Sequence, residues 1–142
     1  MIQAHGGGAR DGRPLAGILL GGPMGSVLLP EEWDIPLDPV ALTSLGIQLG
    51  HGGIVALPHG TDWRALLVHL LGFMAEESCG RCVPCRLGSR RALELSQRLG
   101  EPGAGARLRE LLSLVRDTSL CGFGQHIPSP AARLLELAGG AA

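Results

Sequence analysis

The segment that decides the fold of this chain is Cys79-Gly80-Arg81-Cys82-Val83-Pro84-Cys85, in which two residues separate successive cysteines. The fourth and last cysteine, Cys121, follows after 35 further residues. Two-residue spacings let a tight loop turn three thiolates toward one point, so the triplet is typical of a metal or redox site. The pattern therefore predicts one site that uses all four cysteines.

Three kinds of chemistry are compatible with four cysteines in this pattern. A [4Fe–4S] cluster takes four thiolates, one per iron, and a close triplet with a remote cysteine is among its known spacings. Structural zinc is an alternative, although its ligands usually come as two separated pairs. Redox-active C-x2-C thiols are another, but they would leave the third and fourth cysteines without a role. The spacing favours the cluster over both alternatives.

Charged and turn-forming residues surround the cysteines. Cations beside an anionic cluster would raise its reduction potential, whereas on a solvated helix face they would have no such effect. Both the tuning role and the solvated-face interpretation apply to four arginines near the triplet, Arg81, Arg86, Arg90 and Arg91. His126 could tune the cluster or make a structural hydrogen bond. The residues that we expect to form tight turns around the site are Gly80, Pro84, Gly122 and Gly124.

The composition excludes several functional classes. The chain has 142 residues, of which 45% are hydrophobic and 18% charged, with a net charge of −1. It contains no lysine, so all 12 basic residues are arginine and neither a P-loop nor Schiff-base chemistry is available. Balanced charge with 3% aromatic residues argues against nucleic-acid binding. What remains is a small globular protein with a cysteine site.

Neither a signal peptide nor a membrane span is predicted. The N-terminus lacks a basic start followed by an apolar stretch. The longest apolar stretch, from about Ala65 to Ala75, is too short to cross a bilayer. We therefore expect a cytoplasmic protein, in which clustered cysteines serve metal or redox chemistry rather than structural disulfides.

The two parts of the chain differ in composition and in hydrophobic pattern, which predicts an α+β fold with a small sheet before a helical bundle. Residues 1–60 are rich in glycine and proline, and their short apolar runs indicate strands at Leu15–Leu20, Ser26–Leu29 and Gly53–Leu57, with a short helix or turn within Asp38–Leu49. Residues 61–142 have helical patterns. The predicted helices run from an N-cap at Thr61 to about Glu77, from just after Cys85 to Gly100, from Ala104 to Arg116, and from Pro130, capped by Ser129, to Leu137. The residues expected on the buried face are Leu66, Leu67, His69, Leu70, Leu71, Phe73 and Met74 in the first helix and Leu87, Leu93, Leu95 and Leu99 in the second.

The chain resembles a known family in its cysteine and glycine motifs. Glu77-Ser78-Cys79-Gly80-Arg81-Cys82-Val83-Pro84-Cys85-Arg86-Leu87-Gly88 and Asp117-Thr118-Ser119-Leu120-Cys121-Gly122-Phe123-Gly124-Gln125 are similar to the C-terminal iron–sulfur region of the NADH-binding flavoprotein subunit of respiratory complex I. NAD-dependent formate dehydrogenases and NAD-reducing hydrogenases carry the same module. Upstream, the glycine motifs from His5 to Arg13, Leu20 to Pro23 and Leu49 to Val55 resemble the β-grasp (SLBB) domain that precedes it.

The resemblance implies that Cys79, Cys82, Cys85 and Cys121 ligate one [4Fe–4S] cluster that relays electrons from a flavin. It implies a partial SLBB-like segment at 1–60 and an all-helical cluster domain at 61–142. The family's FMN- and NADH-binding domain has no counterpart here, so we expect this chain to bind neither cofactor. We expect other subunits of an oxidoreductase complex as partners, one of them able to pair with an open sheet edge. The alternative is an assembly protein in which a cluster or zinc only clamps the fold.

Overall fold

The computed structural model describes residues 6–9 and 11–139 of the chain. The chain divides into two compact units, with the boundary between Thr61 and Asp62. The first unit contains a small sheet and the second contains helices, so the fold is α+β, as the sequence predicts. His5 and Arg10 of the first glycine motif lie outside the described residues.

A three-stranded antiparallel sheet organises the first unit, in the order β2-β1-β3. Its strands are β1 (Leu15–Leu20), β2 (Ser26–Leu28) and β3 (Ile54–Pro58). Ile18 of β1 pairs with Leu28 of β2 on one side and with Ala56 of β3 on the other. All three predicted strands form. The second ends one residue early, and the third is displaced by one residue.

A short helix covers one face of this sheet. Ile18 and Leu20 point to the same face because side chains alternate along a strand, and they pack with Leu28 and with Leu42 of helix α1 (Pro39–Ser44). Asp38 caps α1 by accepting a hydrogen bond from the backbone N–H of Ala41 at 2.8 Å. The helix therefore occupies only the first part of the segment in which a helix or turn is predicted. A 3₁₀ turn at Pro30–Glu32 precedes it.

The glycine motifs of the first unit meet backbone to backbone. The N–H of Gly21 donates to the carbonyl oxygen of Gly53 at 2.8 Å. A Cβ atom at Gly21 would lie 2.7 Å from the carbonyl oxygens of Gln48 and Leu49, and its φ of 92° also favours glycine. Close packing of two backbone segments therefore explains these glycines.

The described part of the second unit contains five helices. They are α2 (Trp63–Glu77), α3 (Val83–Gln97), α4 (Ala104–Thr118), α5 (Gly122–His126) and α6 (Pro128–Leu137). Helix α2 packs against α3 and α6, and α4 packs against α3, α5 and α6. Within the described part of the chain, no helix has the length and apolarity needed to cross a membrane.

The helix boundaries differ from the predicted ones at three starts. Asp62, not Thr61, caps α2, since its carboxylate accepts from the N–H of Ala65 at 3.0 Å while the Thr61 hydroxyl donates to the carbonyl of Pro58. Helix α3 begins at Val83, before Cys85. The last helix begins at Pro128, which places Ser129 inside it. The short helix α5 has no counterpart among the predicted helices.

The buried face of α3 is built mainly from small residues, and Leu95 is the predicted leucine that lies on it. This face consists of Cys85, Gly88, Ser89, Ala92, Leu95 and Ser96. Leu87, predicted to lie on the apolar face, is 56% exposed. On α2, His69 and Phe73 are likewise exposed instead of buried. Small side chains let neighbouring helices approach α3 closely, which positions the cysteine segment at its N-terminal end.

Candidate metal centre

The four cysteines occupy the loop before α3, the start of α3 and the start of α5. Cys79 lies in the α2–α3 loop and is exposed, while Cys82 caps α3 and is partly exposed. Cys85 lies in the first turn of α3 and is only 4% exposed. Cys121 is the exposed N-cap residue of α5. All four are free thiols.

The loop that carries the triplet is shaped by two backbone features. Helix α2 ends at Ser78, whose extended backbone turns the chain away from the helix axis. Gly80 then adopts a φ of 76°, a conformation that L side chains rarely adopt. Pro84 stands in the first turn of α3, where its missing N–H leaves no hydrogen bond unmade. The tight turn that the sequence predicts around Gly80 and Pro84 is therefore present.

Cys82 links the triplet to the remote cysteine. The backbone N–H of Leu120, next to Cys121, hydrogen-bonds to the Cys82 sulfur and lowers the pKa of its thiol, and the N–H of Cys85 adds to this effect. Hydrogen bonds to the charged form favour the thiolate. The chain thus brings the segment around Cys121 directly against the triplet.

Cys85 interacts electrostatically with all the other cysteines. Burial raises the pKa of its thiol, the Ser78 hydroxyl opposes this increase, and charge on Cys82, Cys121 and Cys79 raises the pKa further. The Ser78 Oγ and Cys85 Sγ atoms are 3.3 Å apart. The other three cysteines therefore lie within electrostatic reach of Cys85.

One family model matches the part of the chain that contains this site. It is described as the NADH-ubiquinone oxidoreductase-F iron-sulfur binding region, and it matches residues 65–137. This range is just over half of the chain and includes all four cysteines. The chain belongs to this family. Membership implies a [4Fe–4S] cluster and confirms the resemblance seen in the sequence.

Relatives of the chain are components of redox complexes. The NADP-reducing hydrogenase subunit HndC of Solidesulfovibrio fructosivorans is 35% identical over 130 residues, which cover 88% of this chain and 26% of that protein. The F 2 subunit of the NADH-quinone oxidoreductase of Rhizobium meliloti (strain 1021) is 29% identical over 128 residues, with 87% and 30% covered.

A solved structure supports the same assignment. The crystal structure of an NAD+-reducing [NiFe]-hydrogenase in the H2-reduced state superposes with a TM-score of 0.77 at 25% identity, over 92% of this chain and 24% of that chain. The chain spans about a quarter to a third of the length of the relatives it matches.

A [4Fe–4S] cluster and a single zinc ion make different demands on four thiolates. A structural zinc ion needs its sulfur ligands about 2.3 Å from one point. A cubane instead takes one thiolate at each of four irons, so its ligands surround a larger body. Among the described residues, no group of three or more His, Cys, Asp or Glu side chains is placed to hold one metal ion.

A buried hydroxyl without a partner lies beside the site. Ser119 is 6% exposed, and its Oγ is one of two buried side-chain oxygens without a hydrogen-bond partner among the described residues; the other is Ser89 Oγ. A Cβ atom at Gly124 would collide with Ser119 and lie 3.1 Å from the Cys85 Cβ. Ser119 and Cys85 therefore both pack closely against Gly124, and Ser119 lies next to Cys85. A buried hydroxyl with an unmade hydrogen bond next to Cys85 is what a sulfur of an iron–sulfur group would use.

The predicted tuning residues differ in what they contact. Arg81, Arg86, Arg90 and Arg91 are all exposed. Arg86 donates to the carbonyl oxygen of Gly80 at 3.4 Å and so braces the cysteine loop, whereas Arg91 pairs with Glu94 at 2.6 Å. The Nδ1 atom of His126 is 2.6 Å from the carbonyl oxygen of Gly122, within α5. A structural hydrogen bond therefore engages His126.

Ser78 and Ser119 are the site residues that sequence reasoning missed. Both stand within the cysteine motifs, Ser78 directly before Cys79 and Ser119 two residues before Cys121. Position alone does not say whether a hydroxyl points at a sulfur, because that depends on how α2, α3 and α5 pack. A serine adjacent to a cysteine ligand motif was the available signal.

Proposed function

We propose that this chain is an electron-transfer module that relays single electrons through one [4Fe–4S] cluster within an NADH dehydrogenase-, formate dehydrogenase- or hydrogenase-type complex. The observation that carries the proposal is the presence of four free cysteines in the matched iron–sulfur region, with Cys85 within electrostatic reach of the other three. When bound, the cluster supplies reversible one-electron chemistry. The catalytic chemistry of such a complex belongs to other parts of it, so no residue of this chain is assigned a catalytic role.

In this proposal Cys79, Cys82, Cys85 and Cys121 are the ligands, and they have different tasks. Cys85, which is buried in the helical unit, would hold the cluster on the side away from solvent. Cys79 and Cys121, both exposed, hold it where another redox group can approach. The N–H groups of Leu120 and Cys85 stabilise the Cys82 thiolate. The cluster would thus be anchored in the fold on one side and accessible on the other.

The two units have different roles in the proposal. Residues 61–142 form the cluster domain, and residues 1–60 form an SLBB-like segment. The glycine motifs of that segment contact each other, so we assign no FMN or NADH site to them. Among the described strands, β3 has one unpaired edge, and Ile54 and Val55 of this strand are exposed, which suits pairing with a strand from elsewhere in the complex.

The partners in this proposal are other redox subunits, in particular one that binds flavin and NADH. The matched hydrogenase and NADH-quinone oxidoreductase subunits support this inference. We place the function in the cytoplasm, on its own or beside a membrane complex, because reducing conditions keep the four cysteines free of disulfides and available as ligands.

Anaerobic reconstitution with iron and sulfide tests the proposal. The full chain is expected to take up four irons and four sulfides and, after reduction, to give the EPR signal of a cubane. Cys121→Ser should abolish or alter that signal, whereas Ser113→Ala, an exposed change on α4, should leave it intact. Retention of zinc with no reducible signal in the wild type would instead support an assembly role.

A further inference from the structure

We propose that Ser78 and Ser119 set the reduction potential of the cluster by placing two hydroxyl groups beside Cys85, one directly on its sulfur. This inference rests on the proposed function and deepens it. The two serines come from different parts of the helical unit, Ser78 from the end of α2 and Ser119 from the segment between α4 and α5. Both are positioning residues that act through the ligand.

The first hydroxyl contacts the ligand directly. Ser78 Oγ lies 3.3 Å from Cys85 Sγ, and the residue is half-buried at the end of α2. As a cluster ligand Cys85 is a thiolate and has no proton to donate, so the serine hydroxyl must be the donor. Burial of Cys85 keeps water from supplying a competing hydrogen bond, which makes this donor count more than it would at an exposed sulfur.

The second hydroxyl is fixed in place but lacks an acceptor. The backbone N–H of Ser119 donates to the carbonyl of Val115 at 3.1 Å, and the Ser119 carbonyl accepts from the Gln125 side chain at 3.1 Å. These bonds hold the residue while its buried Oγ has no partner. The Ser119 side chain and Cys85 both pack against Gly124, so this hydroxyl lies next to Cys85. A sulfide or thiolate of the bound cluster is the acceptor that this hydroxyl requires.

The direction of the effect follows from charge. One electron added by a chemical reductant makes the cluster more negative, and that charge spreads over its sulfur atoms. A hydrogen-bond donor therefore stabilises the reduced form more than the oxidised form and raises the potential. Removing either hydroxyl should lower the potential.

An EPR-monitored redox titration of the reconstituted full chain measures this effect. For Ser78→Ala we expect the equilibrium constant for reduction to fall about tenfold, which is 59 mV for a one-electron couple. Ser119→Ala should shift it in the same direction. Ser78→Thr keeps a hydroxyl and should restore the wild-type potential. The matched control is Ser96→Ala, because this buried serine of α3 donates to the Leu93 carbonyl at 2.7 Å and not to a sulfur.

Iron and sulfide contents separate this inference from the proposed function. If the wild type takes up no cubane, the proposed function fails. If Ser78→Ala and Ser119→Ala are fully loaded and have the wild-type potential, the inference alone is overturned. If an alanine variant does not load, resonance Raman spectra of the wild type in H2O and D2O decide: a shift of the iron–thiolate bands supports a hydroxyl donor on sulfur, and identical spectra overturn it.

Discussion

At the scale of single residues, the cysteine site depends on one position that must stay empty. Gly124 lies in α5, where any side chain would enter the space between Ser119 and Cys85. The nearest atom of Cys85 would be 3.1 Å from a Cβ at this position, and Ser119 would be closer still. Neither neighbour can move freely, because Ser119 is held by backbone hydrogen bonds and Cys85 is buried in the first turn of α3.

We therefore predict that Gly124→Ala destabilises the helical unit and impairs cluster loading. Inserting a methyl group into a packed site typically costs about 1–3 kcal/mol. Urea unfolding of the unloaded chain measures the loss, and iron content after reconstitution measures the effect on the site. Gly122→Ala is the matched control on the same short helix, since a Cβ there meets only His126, at 3.5 Å. Equal stability and loading of the two variants would contradict the prediction.

The sequence predicted the ligands at this scale but not the residues around them. Cysteine spacing carries its own geometry, because two intervening residues keep three sulfurs within one loop. Tertiary packing brings the Ser78 hydroxyl onto Cys85 and the Ser119 side chain next to it, and such packing leaves no periodic pattern in the sequence. The same limit applies to Arg91, which lies close to the triplet in sequence but pairs with Glu94.

At the scale of elements, α3 carries the site because its inner face is small. A Cβ atom at Gly88 would collide with the side chain of Val115 on α4. The backbone of α3 therefore packs directly against this side chain of α4. The leucine pattern predicts that Leu87 lies on the apolar face of α3, and this prediction is wrong. Leu87 is exposed, because the close contact with α4 admits only small side chains on the inner face of α3. The start of α3 was also misplaced, since a cysteine at the N-cap gives none of the usual side-chain signals.

Two glycine-to-alanine changes on neighbouring helices should have opposite effects. Gly88→Ala gains about 1 kcal/mol of helix propensity but forces Val115 to move, at about 1–3 kcal/mol, so we expect a net loss of stability. Gly72→Ala on α2 meets only Leu93, at 4.0 Å, and should stabilise by about 0.5–1 kcal/mol. Denaturant midpoints of the two variants against the wild type provide the measurement.

A double variant checks that Val115 is the cause. Val115→Ala alone should lower the unfolding free energy, because this side chain is fully buried. In its presence, Gly88→Ala should cost less than in the wild-type background, since the clashing methyl group is gone. Additive effects of the two changes would show that the Gly88 contact does not limit the packing of α3 on α4.

At the scale of the whole molecule, composition alone distinguished a sheet-forming part from a helical part. Glycine and proline punctuate the first sixty residues and are less frequent in the helical part that follows. The division between Thr61 and Asp62 lies one residue from the expected boundary. Neither the composition nor the pattern of elements says which metal or cofactor the cysteines bind. The match to the iron–sulfur family narrows the choice between a cluster, zinc and redox thiols.

The cluster site should survive separation from the sheet. All four cysteines and a set of fully buried side chains, Leu67, Leu71, Met74, Leu108 and Leu134, belong to the second unit. A fragment of residues 62–142 should therefore show helical circular dichroism, unfold cooperatively and bind the same iron per chain as the full protein. A fragment of residues 79–142, which lacks α2 and its buried leucines, is the control and should not unfold cooperatively. If the longer fragment fails to load under conditions in which the full chain succeeds, the sheet unit is required to build the site.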